Sequence, residues 1–138
     1  MFKGLEGRSA IVTGGSTLIG AGVVRAMHAA GVKVVIADID AGNGQALAAS
    51  LGTGVRFVRT DITDDAQVQA CVAEAAERHG GVHFLVNLAC SYLDDGFKSP
   101  PAATMCGCTA CSMATALATF TLNDASQSAR GDLKPSSR

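Results

Sequence analysis

An excess of either charge is missing from this sequence of 138 residues: 11 basic and 12 acidic side chains leave a net charge of −1. That balance excludes the basic footprint of a nucleic-acid binder or of a protein held on an anionic membrane, so neither partner is expected. The opening MFKGLEGRSA has no long apolar run and no small-residue cleavage site. A signal peptide is therefore not expected, and the cytoplasm is the expected compartment. Five cysteines, an odd number, point to free thiols rather than to a disulfide framework. Tyrosine is rarer still, with Tyr92 the only one, and that scarcity limits the chemistry considered below. The length suits one domain, which on folding would bury about two-thirds of the surface that the extended chain exposes.

What is present is an alternation of two periods. Short runs rich in Val and Ile occur at 9–13 (SAIVT), 32–38 (VKVVIAD), 55–60 (VRFVRT) and 82–88 (VHFLVNL). Each has the continuous apolar character of a strand buried on both faces of a parallel sheet. Between them lie helical periods. Ile19, Val23, Met27 and Ala30 share one face of the first, and Ala41 to Leu51 reads as a second, weakened by Gly42 and Gly44. Thr63 is placed to cap a third, in which Val68, Cys71, Val72 and Ala75 form an apolar stripe. Strict strand–helix alternation implies right-handed βαβ units. The expected fold is α/β and Rossmann-like, three layers around a four-stranded parallel sheet, a truncated doubly wound arrangement over residues 1–98.

The pattern stops near Lys98. From Ser99 to Asn123 no residue is charged, and Ala, Thr, Ser and Cys dominate. Residues 99–123 read as a separate segment with at most one helix, too weakly apolar to favour a membrane span. Residues 124–138 are polar and read as a disordered tail.

The stretch TGGSTLIG, Thr13 to Gly20, joins the first strand to the first helix. Gly14 allows a sharp turn off the strand where a Cβ would clash, and Gly20 allows the helix to pack closely. The helix start at Leu18 to Ala21 offers unpaired N–H groups and a positive dipole end, which favour a pyrophosphate. Asp38, at the carboxyl end of the second strand, is an acid able to accept hydrogen bonds from ribose hydroxyls and to repel a 2′-phosphate.

With these residues in that order, the chain resembles the short-chain dehydrogenase/reductase family of NAD(P)-dependent oxidoreductases from about Leu5 to Gly96. GLEGRSAIVTGGSTLIGAGV is similar to the family's TGxxxGxG loop, VVIADID to its ribose acid, RTDITD to its adenine-contacting segment, and VHFLVNLAC to its NNAG strand end. The resemblance implies cofactor contacts from Gly14, Ser16, Thr17, Leu18, Ile19 and Gly20. It implies further contacts from Asp38, from Asp61 and Ile62 at the adenine, and from Asn87 and Ala89. The cofactor it implies is NAD, preferred over NADP because of Asp38.

The departures matter as much. Leu18 stands where the family has the middle glycine, which lets backbone approach the pyrophosphate. Leu88 and Cys90 replace the second Asn and the glycine of NNAG; Cys90 reads either as a small buried hydrophobe or as a thiol near the cofactor. The family's proton chemistry resembles transfer by a Tyr with a Lys four residues on. Here Gly96 lies four residues after Tyr92 and Lys98 lies six after it, so no catalytic residue is assigned. The cluster MCGCTAC brings Cys106, Cys108 and Cys111 together without the paired CxxC units of a strong metal motif, and no metal site is assigned. A change of reading frame, a rearrangement or an alternative ending after Lys98 would account for the break in composition. The expected function is therefore that of a short-chain oxidoreductase passing hydride between nicotinamide and an alcohol or carbonyl, with this chain inactive by itself. The alternatives are a non-catalytic dinucleotide-binding module and a product without stable function. Substrate and oligomeric state are not legible.

Overall fold

The computed structural model describes residues 4–89. The segments 99–123 and 124–138, and with them Cys90, Tyr92, Lys98 and the MCGCTAC cluster, lie outside the described residues. In chain order the elements are β1 (Ser9–Thr13), α1 (Leu18–Ala29), β2 (Lys33–Asp38), α2 (Ala41–Leu51), β3 (Val55–Arg59), α3 (Asp65–His79) and β4 (Phe84–Asn87). The four strands form one sheet in the order β3-β2-β1-β4. All three ladders are parallel, with Val12 beside both Ile36 and Val86, and Ile36 beside Phe57. Parallel pairing requires crossovers, and the three helices supply them.

Alternate residues of β1 and β2 divide the core in two. On one face Ala10, Val12, Val34 and Ile36 pack with Ala21 and Val24 of α1 and Leu47 of α2. On the other, Ile11, Val35 and Ala37 pack with Val68, Cys71, Val72 and Ala75 of α3. This is the expected three-layer, four-stranded Rossmann-like arrangement, with α1 and α2 against one face and α3 against the other. Removing each such Val or Ile side chain from water contributes about 1.5–3 kcal/mol. The ion pair between Arg56 and Glu74, 3.4 Å apart with both side chains partly exposed, adds little by comparison.

Four expectations are corrected. The outer strands are not buried on both faces: β1 is buried throughout, whereas β3 and β4 are only partly buried, because they lie at the two edges of the described sheet. Three strands are shorter than their apolar runs. Val32 is buried yet donates its N–H to the Met27 carbonyl at the end of α1, so β2 begins at Lys33. The fully buried residues of α1 are Gly20, Ala21 and Val24; Val23 and Met27 of the expected face pack partly buried against the core, whereas Ile19 is 73% exposed. Helix and glycine turn approach so closely at Gly20 that a Cβ there would collide with the backbone of Gly14 and Gly15. Finally, Asp64 rather than Thr63 caps α3, its Oδ1 accepting from the N–H groups of Ala66 (2.9 Å) and Gln67 (3.3 Å). The Thr63 amide and hydroxyl both donate to Asp61 instead.

Gly44, which read as a weakness in α2, has a packing reason. A Cβ there would sit 2.2 Å from the Phe57 ring, so the glycine lets α2 lie directly on β3. The Asp40 carboxylate caps this helix by accepting from the Asn43 backbone N–H at 3.1 Å, which recovers part of what the glycines cost.

Candidate functional site

Every strand of a parallel sheet ends on the same edge, and the residues singled out in the sequence gather there. Gly14 has φ +67, and a Cβ on it would meet the Ala89 nitrogen at 2.8 Å, so the turn is both left-handed and pressed against the end of β4. A Cβ on Gly20 would meet the Gly14 carbonyl oxygen at 2.1 Å. These two glycines therefore define a single close approach of turn, helix and β4. Thr17 caps α1: its hydroxyl donates to the Gly14 carbonyl at 2.8 Å and accepts from the Gly20 N–H at 3.3 Å. Leu18, the first residue of the helix, is 96% exposed.

Asp38 is the hub of the edge. It is only 9% exposed, and both of its oxygens are engaged: Oδ2 accepts from the Ser16 N–H at 2.9 Å and Oδ1 from the Asp40 N–H at 3.1 Å. The carboxylate thus ties the glycine turn to the loop that opens α2. Each carboxylate oxygen has room for a second donor. Two clefts meet at Asp38 and Thr17. The first, of about 450 Å³, has Asp38, Ile39, Asp61, Ile62 and Ala89 in its walls. The second, of about 580 Å³, lies between α1 and α2 and is walled by Leu18, Arg25, Asp38, Asp40 and Asn43.

Asp61 lies in the first cleft with its Oδ1 accepting from the Thr63 hydroxyl (2.7 Å) and amide (2.9 Å). Those two donors, the hydroxyl foremost, hold its carboxyl below the usual carboxylate range. Its backbone N–H donates to Gln67 Oε1 at 3.0 Å, fixing the loop to α3. Asn87 is exposed at the end of β4, its Oδ1 accepting from the Thr13 hydroxyl at 3.4 Å.

The structure therefore brings Gly14, Thr17, Asp38, Asp61, Ile62 and Ala89 to one cleft, with Ser16 bonded to its floor. Leu18 lies in the wall of the neighbouring cleft, and neither Ile19 nor Asn87 lines the first. Three contributors escaped the sequence reading. Thr13 is fully buried, and its hydroxyl accepts from the N–H groups of Leu88 (3.1 Å) and Ala89 (3.2 Å), fastening β4 to β1. The Asp40 N–H completes the hold on Asp38, and Gly15 lets Ile36 and Val24 close under the turn. A polar residue ending an otherwise apolar strand was the one available signal for Thr13.

Two titratable groups lie away from this edge. The Cys71 thiol is buried under α3, and burial pushes it up to about 11. His79 ends α3 with a buried Nδ1 that has no hydrogen-bond partner. Among the described residues no cluster of three or more His, Cys, Asp or Glu side chains is arranged to hold a metal ion. Among the same residues no helix is long and apolar enough to cross a membrane.

Comparison with known proteins gives a consistent result. A family model described as short chain dehydrogenase matches residues 8–119, past the point at Lys98 where the residue pattern breaks. The (+)-borneol dehydrogenase 1 of Salvia officinalis is 47% identical over 87 residues, which cover 63% of this chain and 34% of that protein. A 3-alpha-(or 20-beta)-hydroxysteroid dehydrogenase of Mycobacterium tuberculosis is 47% identical over 85 residues, covering 62% and 33% of the two chains. Among solved structures, 3-hydroxyacyl-CoA dehydrogenase type-2 from Mycobacterium avium superposes with a TM-score of 0.69 at 30% identity, covering 86% of this chain and 51% of its own. A short chain dehydrogenase/reductase from Burkholderia phymatum, solved in complex with NAD, gives 0.57 at 36% identity, covering 62% and 31%. The chain spans about a third of the length of these two curated relatives.

Proposed function

The chain belongs to the short chain dehydrogenase family, and from that premise we propose that it holds NAD, in preference to NADP, at the carboxyl edge of its sheet. The observation that carries the reading is Asp38, a nearly buried carboxylate oriented by two backbone N–H groups at the meeting point of two clefts. An acid so fixed has acceptor capacity left for ribose hydroxyls and opposes a 2′-phosphate. Ile39 and Ile62 offer apolar surface to a base in the first cleft, and Asp61 offers a carboxylate to an amino group. Asp40 adds a second acid beside the ribose position, outweighing the single guanidinium of Arg25 across the second cleft. These features fit the adenosine half of the cofactor.

Bound nicotinamide dinucleotide supplies a hydride donor or acceptor, and the family's activity is oxidoreduction of alcohols and carbonyls. We assign this chain the cofactor-holding share of that activity. Its residues orient the adenosine and keep Asp38 in place; none of them is given a proton-transfer role. Tyr92 is followed four residues later by Gly96 rather than by a lysine, and we expect the 138 residues alone to bind without turnover.

Titration of pure, monodisperse protein with NADH and NADPH tests the reading. We expect saturable NADH binding at least about tenfold tighter than NADPH, loss of that discrimination in Asp38→Asn, and no NADH production from a panel of alcohols. Equal affinity for the two cofactors would remove the preference. Absence of saturable binding by either would favour a product without stable function.

A further inference from the structure

Asp61 brings a backbone N–H, a carbonyl and two carboxylate oxygens to the wall of the first cleft. Its carbonyl accepts from the Asp64 N–H at 3.1 Å, and its Oδ1 accepts from the hydroxyl and amide of Thr63. These bonds stay inside residues 61–64, so they shape the loop but do not hold Asp61 against a neighbouring element. The bond from the Asp61 N–H to Gln67 Oε1, 3.0 Å long, is the one that leaves the loop for α3. Gln67 is itself held at its amide and at its backbone. Its Nε2 donates to Asp64 Oδ2 at 2.8 Å, which aims Oε1 back at Asp61, and its N–H donates to Asp64 Oδ1 at 3.3 Å. The next residue, Val68, is buried against the sheet, so this grip on the loop is anchored in the core. Gln67 is half-buried and does not line the first cleft.

Resting on the reading of that cleft as an adenosine site, we infer that Gln67 is a positioning residue for base selection. It does not meet the ligand. It fixes the Asp61 backbone, and through it the direction in which Oδ2 is presented. Oδ2 receives neither Thr63 bond and keeps its acceptor capacity. Held in place, it accepts from an amino group and opposes a carbonyl, because a carboxylate desolvated against another acceptor has no partner. Inosine carries a carbonyl oxygen where adenosine carries the amino group. Without Gln67 the Asp61 N–H must find another acceptor, the loop turns to reach one, and the selection between the two bases is blunted.

The experiment titrates the full chain with adenosine and with inosine, in wild type, Gln67→Ala and Gln67→Glu, with urea denaturation of each protein to show that it is folded. Alanine removes both side-chain bonds and keeps a strong helix former in α3. Glutamate keeps an oxygen for the Asp61 N–H at the same reach and gives up only the donor to Asp64. We expect wild type to prefer adenosine, Gln67→Ala to lose that preference by about fivefold or more, and Gln67→Glu to keep it. If one variant does not fold, the other still decides. A preference unchanged in Gln67→Ala, or an equal loss for both nucleosides, would leave Gln67 a helix-cap partner and overturn the inference. A preference lost in Gln67→Glu, or equal affinity for the two nucleosides in wild type, would overturn it as well and leave the cleft reading standing. Binding of neither nucleoside by wild type would remove the adenosine site itself, and the inference with it.

Discussion

At Gly20 the backbone leaves no room for even a single β-carbon. The Gly14 carbonyl oxygen stands 2.1 Å from where that carbon would be, and both partners are backbone. Gly22, two residues on in the same helix, has nothing within 4 Å of its own missing β-carbon. The two positions therefore predict opposite outcomes from the same substitution. Gly20→Ala should destabilise the fold by more than about 3 kcal/mol, with the turn displaced from β4. Gly22→Ala should stabilise it by about 0.5–1 kcal/mol, since the helix gains propensity and meets no obstacle. Urea denaturation midpoints of the two variants against wild type check both, and a loss of stability in Gly22→Ala would contradict the account. Gly42 and Gly44 read from sequence only as weakness in a helical run, whereas Gly20 reads as a close approach. Whether such a glycine marks a defect or a close approach depends on what lies above it, and for Gly44 that is the Phe57 ring, thirteen residues away in sequence.

Among the elements, α3 carries the clearest dependence on pH. Burial, and then the charges of Lys33 and Arg56, lower the pKa of His79 below its ordinary 6.5. The unfolded chain accordingly binds a proton that the folded chain resists, so stability is full above pH 6.5 and falls as pH drops toward the folded value. The three acids with lowered values, Asp40, Asp61 and Asp64, act around and below their ordinary 3.8, where stability falls further as they protonate. Denaturation at about pH 7.5 and about pH 5.5 should show wild type losing stability, with a smaller loss in His79→Leu. Equal losses would place the effect elsewhere. The order and type of all seven elements were legible, because β-branched runs and helical stripes follow from the chain's own periodicity. The ends were not, since they depend on partners remote in sequence: Val32 leaves β2 for the Met27 carbonyl, and Thr63 yields the cap of α3 to Asp64 because Asp61 holds it. Within the candidate site, Gly14 and Asp38 could be picked out from their place at strand ends, and Asp61 through the family resemblance; all three line one cleft. The hydroxyl of Thr13 could not be, because its use depends on where β4 docks.

At the scale of the whole molecule, the order β3-β2-β1-β4 brings four strand ends to one edge and leaves β1 dependent on two partners of very different remoteness. Its ladder to β2 joins Ser9 to Lys33, whereas its ladder to β4 joins residues 74 positions apart, such as Thr13 and Asn87. Closing the longer loop costs more entropy, though the excess grows only with the logarithm of length, about 0.6 kcal/mol for each doubling. We expect β4 to dock last, and in pulse-labelled hydrogen exchange during refolding the amides of Lys33–Asp38 should be protected before those of Phe84–Asn87. Simultaneous protection would show the sheet forming as one unit. The same geometry has a consequence for biosynthesis. At about 5–20 residues per second, a ribosome that has just made SAIVT needs roughly 4–15 seconds to make the strand that pairs with its second edge. For that interval the nascent chain presents an uncharged, open ladder, and intermolecular pairing on the polysome competes directly with the arrival of β4.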